Sequence, residues 1–206
     1  EIPVDWPIYG GLDYGEASPT SFGLYTCDFD DRLIRIAEYY QADATATEHA
    51  RGVRDLIDTC PFTQGRLPEA VFSDPSMWVT RRLSEAYSRA PADFFMDENL
   101  YLIKANNDRV AGWRVCKDLL YRKNFYIFAG GWNENFSRTV PQLPRSGNNA
   151  EDLDTRAEDH AADEWRYVAL HAWKPYEKPE KPEIIDFQGE TVLKGLRDQF
   201  KASPYI

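Results

Sequence analysis

Two stretches in the middle of this chain open on helix-capping residues and close on proline, and that punctuation limits the fold more than any other feature. Thr45–Ala–Thr–Glu48 is a capping-box pattern, in which a hydroxyl and a carboxylate satisfy backbone N–H groups left over at a helix start. Behind it, Ala50, Val53, Ile57 and Cys60 form one apolar stripe, and Pro61 ends the run. Ser73–Asp74–Pro75 places cap residues before a first-turn proline, whose missing N–H costs nothing there. Val79, Leu83, Ala86, Tyr87 and Ala90 then face one way until Pro91. Upstream, Leu33, Ile36, Ala37 and Tyr40 recur at helical spacing behind acidic Asp30 and Asp31.

Residues 97–129 admit two readings. Asp97–Glu98 opens one helix through Leu100 and Ile103, and Asp108 opens another to about Phe128; alternatively, NLYLIKA and RVAGWRV flank an Asn/Asp turn as a β-hairpin near 99–115. Gly112 inside a helix costs about 1 kcal/mol, but the run KDLLYRKNFY favours helix. Gly130–Gly131 then breaks the pattern, and residues 133–149 read as a loop with two prolines. A last helix is predicted over Ala150–His171, acidic at its start. Thr191–Phe200 reads as a short terminal helix. The fold class expected is therefore mainly α: an antiparallel helical bundle over 28–172. An extended N-terminal arm (1–27) and a proline-rich C-terminal arm (173–206) flank it.

Those arms are aromatic. Residues 1–27 include Trp6, Pro7, Tyr9, Gly10, Gly11, Tyr14, Pro19, Phe22 and Tyr25, and residues 173–187 run WKPYEKPEKPEIIDF, an extended, polyproline-like pattern. A large side chain gains roughly 1.5–3 kcal/mol from full burial, and disordered tails tend to be poor in aromatics. The arms are expected to lie on something. Either they fold back over this domain's core, or Trp6, Tyr9, Trp173, Pro175 and Tyr176 bind neighbouring subunits.

The 206 residues are 43% hydrophobic, enough for a core, and carry 24 Lys+Arg against 34 Asp+Glu, a formal net charge of −10. That balance argues against nucleic acid as the main partner, since duplex affinity comes largely from cations neutralising phosphates. The most apolar stretch, Phe125–Trp132, is far shorter than the roughly 20 residues that span a bilayer. Three cysteines, Cys27, Cys60 and Cys116, make no CxxC, so no zinc site is expected and buried free thiols are, with a Cys27–Cys60 bridge as the alternative. A chain opening at Glu1 without a hydrophobic leader fits an expression product or a mature protein whose targeting peptide is gone.

No motif names a reaction. HExxH, GxSxG, GxGxxG and a phosphate loop are all absent. His160 and His171 share a helix face but lie about 16 Å apart along its axis, too far for one ion; with His49 they are expected to be ordinary polar-face histidines. The acidic run from Glu151 to Glu164 offers carboxylates for acid–base work, but matches a solvated helix start favoured by the macrodipole. Cations from Lys104 to Lys123 make a mildly basic surface, solvated or facing an acidic subunit or the chain's own acidic helix. No catalytic residue, cofactor or metal is expected.

The segment Ala161–Pro179, AADEWRYVALHAWKPYEKP, resembles the last helix and tail of the alpha-subcomplex subunit 5 family of mitochondrial NADH:ubiquinone oxidoreductase, complex I. There an acidic helix runs into a Trp–Lys/Asp–Pro–Trp tail; here Trp173–Lys174–Pro175–Tyr176 has Tyr for the second Trp. Phe22–Gly23–Leu24 before Arg32–Leu33 echoes a Gly–Leu segment preceding that family's first helix. Family members are compact three-helix proteins, whereas a long segment separates the two matches here. The resemblance implies a non-catalytic accessory subunit of the respiratory chain, without redox centres of its own. It would reside in the mitochondrial matrix or peripheral to the inner membrane, and bind other subunits of an electron-transport complex. The alternatives are a stand-alone helical enzyme or ligand-binding domain with a pocket near His171 and the acidic helix, and a secreted interaction protein.

Overall fold

Two runs among the first 27 residues form the centre of a β-sheet. The structure, a computed structural model, describes residues 1–80, 88–147, 149, 151–154 and 156–173 in full, and the backbone alone of 81–82, 184–187 and 190–193. Strand β1 (Ile8–Asp13) pairs antiparallel with β2 (Thr20–Cys27), and β2 with β3 (Leu33–Gln41). Helix α1 (Ala46–Thr59) follows, with the Thr45–Glu48 capping box formed as the sequence predicts. The chain returns as β4 (Ala70–Ser73), parallel to β1. A 3-10 turn (Pro75–Trp78) leads to β5 (Arg81–Arg82), which pairs antiparallel with β6 (Ser88–Arg89). Then come α2 (Pro91–Asp97), β7 (Leu102–Lys104), α3 (Arg109–Tyr121), β8 (Phe125–Ile127), α4 (Glu134–Thr139) and α5 (His160–Ala172). The six-stranded mixed sheet has the order β7-β4-β1-β2-β3-β8, with β7 parallel to β4 and β8 parallel to β3.

The fold is therefore α/β, not a helical bundle, and several predicted elements change type. Residues 33–41 are a strand buried from both sides, Leu33 in the layer of α3 and α5 and Ile36 in that of α1. A strand covered on both faces loses its period-two alternation, so its apolar residues mimicked helical spacing. The helix predicted over 79–90 is replaced by the β5 and β6 strands, with Leu83, Ala86 and Tyr87 outside the described residues. Between 97 and 129 the helical reading holds only in its second half, over Arg109–Tyr121. Leu102–Lys104 is a strand beside β4, no hairpin forms at 99–115, and the second helix starts at the expected cap, Asp108, whose side chain accepts from Ala111 N. Helix α5 begins at His160, ten residues later than expected, and α4 lies inside the predicted loop.

Both faces of the sheet are covered. Ile8, Leu12, Phe22 and Leu24 pack with Val53 and Ile57 of α1 and Phe95 of α2. Tyr25, Leu33 and Phe72 pack with Trp113 of α3 and Trp165 and Val168 of α5. Every residue of β2 but Cys27 is buried. Gly112, which argued against a helix, sits in α3 because Arg166 of α5 lies against it; a Cβ there would come within 2.3 Å of Arg166 Cγ. The N-terminus is tied down rather than extended. Ile2 N donates to Phe62 O at 2.9 Å, and the Arg66 guanidinium donates to the carbonyls of Ile2, Pro3, Val4 and Trp6.

The three cysteines are free. Among the described residues, no helix is long and apolar enough to cross a membrane. Residues Glu1–Lys174 form one compact unit and Pro175–Ile206 a second. In the second, β9 (Ile184–Phe187) pairs antiparallel with β10 (Glu190–Leu193), so the helix predicted from Thr191 begins as strand, and its remainder lies outside the described residues.

Candidate active site

Parallel neighbours β1 and β4 both end in a carboxylate. Asp13 is the last residue of β1, and Asp74 follows β4 directly, where it caps the 3-10 turn by accepting from Ser76 N at 2.6 Å. The registration of Leu12 against Ser73 sets the two aspartates at the same end of the sheet. Helix α5 starts over that end and brings Asp159, His160 and Asp163. His160 Nδ1 lies 2.8 Å from Asp13 Oδ2, and Tyr167 OH donates to Asp74 Oδ2 at 3.0 Å. Carboxylates from three separate elements thus gather at one edge.

Each is held by basic or hydroxyl partners. Asp163 accepts from Arg109 Nη1 at 2.7 Å and from Arg166 Nε at 3.0 Å. Arg109 also reaches Asp159 (3.4 Å) and Asp152 (3.0 Å), so one guanidinium ties three carboxylates. Asn107 donates to Asp74 at 3.2 Å and accepts from Arg166 Nη2 at 3.1 Å. Arg114 pairs with Glu151 at 3.0 Å. Arg109 and Arg114 of α3 therefore meet the chain's own acidic segment.

The site's electrostatics follow from burial among like charges. Burial pushes the Asp13 carboxyl up to about 6; the hydrogen bond from His160 works against this, while Asp163 and Asp159 add to it. The same hydrogen bond, with the Asp13 charge, raises His160 above its ordinary value. Burial raises the Tyr167 phenol strongly, helped by Asp13, Asp163 and Asp74, so it stays a donor. Strongly perturbed acids gathered at one place mark a functional-site candidate.

Of the residues predicted to bind partners, Trp6 is half-buried with its ring edge-on to Phe29, centroids 6.4 Å apart. Tyr9 is half-buried against Phe72. Trp173 is 5% exposed and donates its indole N–H to Asp31 O at 2.8 Å. Pro175 and Tyr176 lie outside the described residues. Of the three described, none sits with the carboxylates: Trp6 and Trp173 lean on the turn joining β2 to β3, at the opposite end of the sheet.

His171 is no pocket base. Its ring stacks on Phe72 at 4.7 Å, its Nε2 accepts from Asn106 N at 2.8 Å, and burial lowers its pKa. His49 is buried on α1 beside Tyr39 OH. Asp13 and Asp74 were missed in the sequence. Their signal was an Asp closing a β-prone run twice, in IYGGLD and AVFSD.

No family model and no curated protein matches the sequence. Solved structures do match. The nuclease domain of the P22 large terminase superposes with a TM-score of 0.63 at 15% identity, over 84% of this chain and 85% of that one. The large terminase of a thermophilic bacteriophage superposes with a TM-score of 0.63 at 20% identity, over 84% of this chain and 42% of that protein. The HK97 bacteriophage large terminase gives 0.56 at 9% identity, over 82% and 40%. This chain has the fold of a large-terminase nuclease domain.

The chain spans about two-fifths of the thermophilic-phage and HK97 proteins. The likeness overturns the resemblance to the complex I accessory family, whose members are three-helix proteins. The reading as a non-catalytic respiratory-chain subunit falls with it, together with the respiratory and electron-transport assignments. One of the matched folds is that of a nuclease domain, so the expectations of no enzyme and no nucleic acid, which came with the accessory-subunit reading, are withdrawn.

Proposed function

We propose that this domain hydrolyses phosphodiester bonds in nucleic acid, as the nuclease part of a larger phage-type terminase. One observation carries the reading. Asp13 and Asp74 close adjacent parallel strands, and α5 lays Asp159, His160 and Asp163 over them, in a fold shared along nearly the whole P22 nuclease domain. Net charge is a poor guide here, because it sums over a surface and says nothing about one edge of the sheet.

Carboxylate-lined hydrolases commonly work through divalent cations, and carboxylate oxygens suit such hard ions. The arrangement here does not fit one. Among the described residues, no three His, Cys, Asp or Glu side chains gather where they could hold an ion. Asp13 is turned onto His160, Asp74 onto Tyr167 and Asn107, and Asp163 onto two arginines.

The chain's own groups supply acid–base chemistry. An Asp13 carboxyl near 6 is mostly ionised at neutral pH and suits a general base for water. His160, hydrogen-bonded to it, stabilises the ionised form. Arg109 has its side chain 23% exposed where that of Arg166 is fully buried, so of the two guanidiniums on Asp163 it is the one open to a phosphate.

The test is cleavage of supercoiled and linear duplex DNA by the purified protein, with magnesium, with manganese and with chelator. Asp13→Asn and Asp74→Asn keep the shape of each side chain, and each is expected to slow cleavage by about 10²-fold or more. A wild-type protein inert under all three conditions, or variants that cut as well as wild type, would overturn the reading.

A further inference from the structure

We propose that the buried pair Arg35–Glu164 is a register lock for α5, and that these two are positioning residues for the acidic edge rather than catalytic ones. Both side chains are fully buried, and the Arg35 Nη1 contacts both the Glu164 carboxylate and Tyr25 OH. Tyr25 OH donates to Glu164 Oε2 at 2.8 Å. Arg35 Nη2 reaches Glu38 at 3.1 Å, and Glu38 accepts from Asn135 N and Phe136 N at the start of α4. One guanidinium on β3 thus fastens α4 and α5 to the sheet.

The sheet is cut away to admit this pair. Gly11 and Gly23 face each other across β1 and β2. A Cβ at Gly11 would lie 2.4 Å from Glu164 O and 2.7 Å from Val168 Cγ2; one at Gly23 would lie 2.7 Å from Glu164 Oε1. Bare backbone at Gly11 lets the helix backbone come this close, and bare backbone at Gly23 leaves room for the Glu164 carboxylate and the Arg35 guanidinium.

The slot also fixes what lies next to it. Glu164 sits over Gly11, and His160 meets Asp13. Two residues along a strand advance about 6.6 Å, and four back along a helix about 6 Å. The two matches therefore belong to one register. A slip of one turn, about 5.4 Å, would break both together. A buried ion pair is a poor source of net stability, because desolvation offsets its attraction, but it is a demanding one geometrically. An apolar pair would tolerate sliding where this pair does not.

The kinetic part of the test rests on the nuclease reading, and the spectroscopic part does not. Titrations of the His160 ring by NMR would be compared in wild type, Asp13→Asn, Glu164→Gln and Gly11→Ala. The glutamine keeps the shape but loses the charge, and the alanine keeps both charges while its Cβ presses on the Glu164 carbonyl, the Glu164 Oε2 and Val168. Both are expected to move the His160 titration toward that of Asp13→Asn, and to lower kcat by about 10²-fold with KM little changed. Should either variant fail to fold, Arg35→Lys, which keeps the charge and loses the fork, carries the same readouts. Folded variants that melt earlier yet keep the wild-type His160 titration would overturn the lock, leaving the pair a structural one. A wild-type enzyme without cleavage would sink the nuclease reading alone, and the NMR comparison would still decide the lock.

Discussion

His160 Nδ1 lies 2.8 Å from Asp13 Oδ2, joining the first turn of α5 to the end of β1 across 147 residues of sequence. The pair dictates how stability responds to pH. His160 is raised when folded, so its contribution is complete below the ordinary histidine value and is lost as pH rises through the raised one. Asp13, raised to about 6, acts in the same direction, since ionising it within the fold costs more than in the unfolded chain. Thermal melts from pH 5 to 8 should show a decline that is shallower in His160→Asn. Identical slopes would show that the pair does not couple to folding.

Arg109 holds three carboxylates, and removing it leaves them facing one another at the site's rim. Arg109→Ala is expected to destabilise by about 2 kcal/mol at pH 7, a fall in Tm of roughly 4–8 °C. The loss should shrink at pH 4, where protonation relieves the repulsion. Urea titrations at both pH values measure this, and an equal loss at each would assign the effect to packing.

Gly112→Ala pits two magnitudes against each other. Alanine in a helix gains about 1 kcal/mol over glycine. The new Cβ would stand 2.3 Å from Arg166 Cγ and 2.7 Å from its Cδ, on a fully buried side chain. Overpacking of that kind costs about 1–3 kcal/mol, so a net loss is expected, measurable as a lower urea midpoint. A more stable variant would mean that α3 and α5 have room to part.

Thr45→Ala removes the cap of α1, which packs on the face of the sheet opposite α5. The loss should be about 1 kcal/mol, read as a Tm lower by roughly 2–4 °C, with cleavage unchanged. A matching fall in cleavage would tie α1 to the site.

Local chemistry was legible and long-range chemistry was not. The caps at Thr45 and Asp108 were readable because a helix start is decided by the few residues around it. The N-terminal strands were misread as an extended arm, because glycines such as Gly10, Gly11 and Gly23 weaken a strand reading in isolation. Their reason lies in distant partners: a Cβ at Gly10 would meet Val71, and one at Gly11 or Gly23 would meet Glu164. β3 was misread because double-sided burial removed its alternation. The acidic start of α5 was seen but assigned to solvent, since nothing local showed that Asp13 and Asp74 would arrive beneath it. Asp13 itself drew no notice, for one aspartate after an apolar run says little until its neighbour in the sheet is known.

That long separation has a temporal side. Strands β1 to β3 form a contiguous meander able to pair early, leaving Asp13 hydrated and without its imidazole. His160 joins it only once the final helix of the unit has been synthesised and has settled on the sheet. On the nuclease reading, an incomplete chain cannot cut the cell's nucleic acid, because the reactive edge is assembled last.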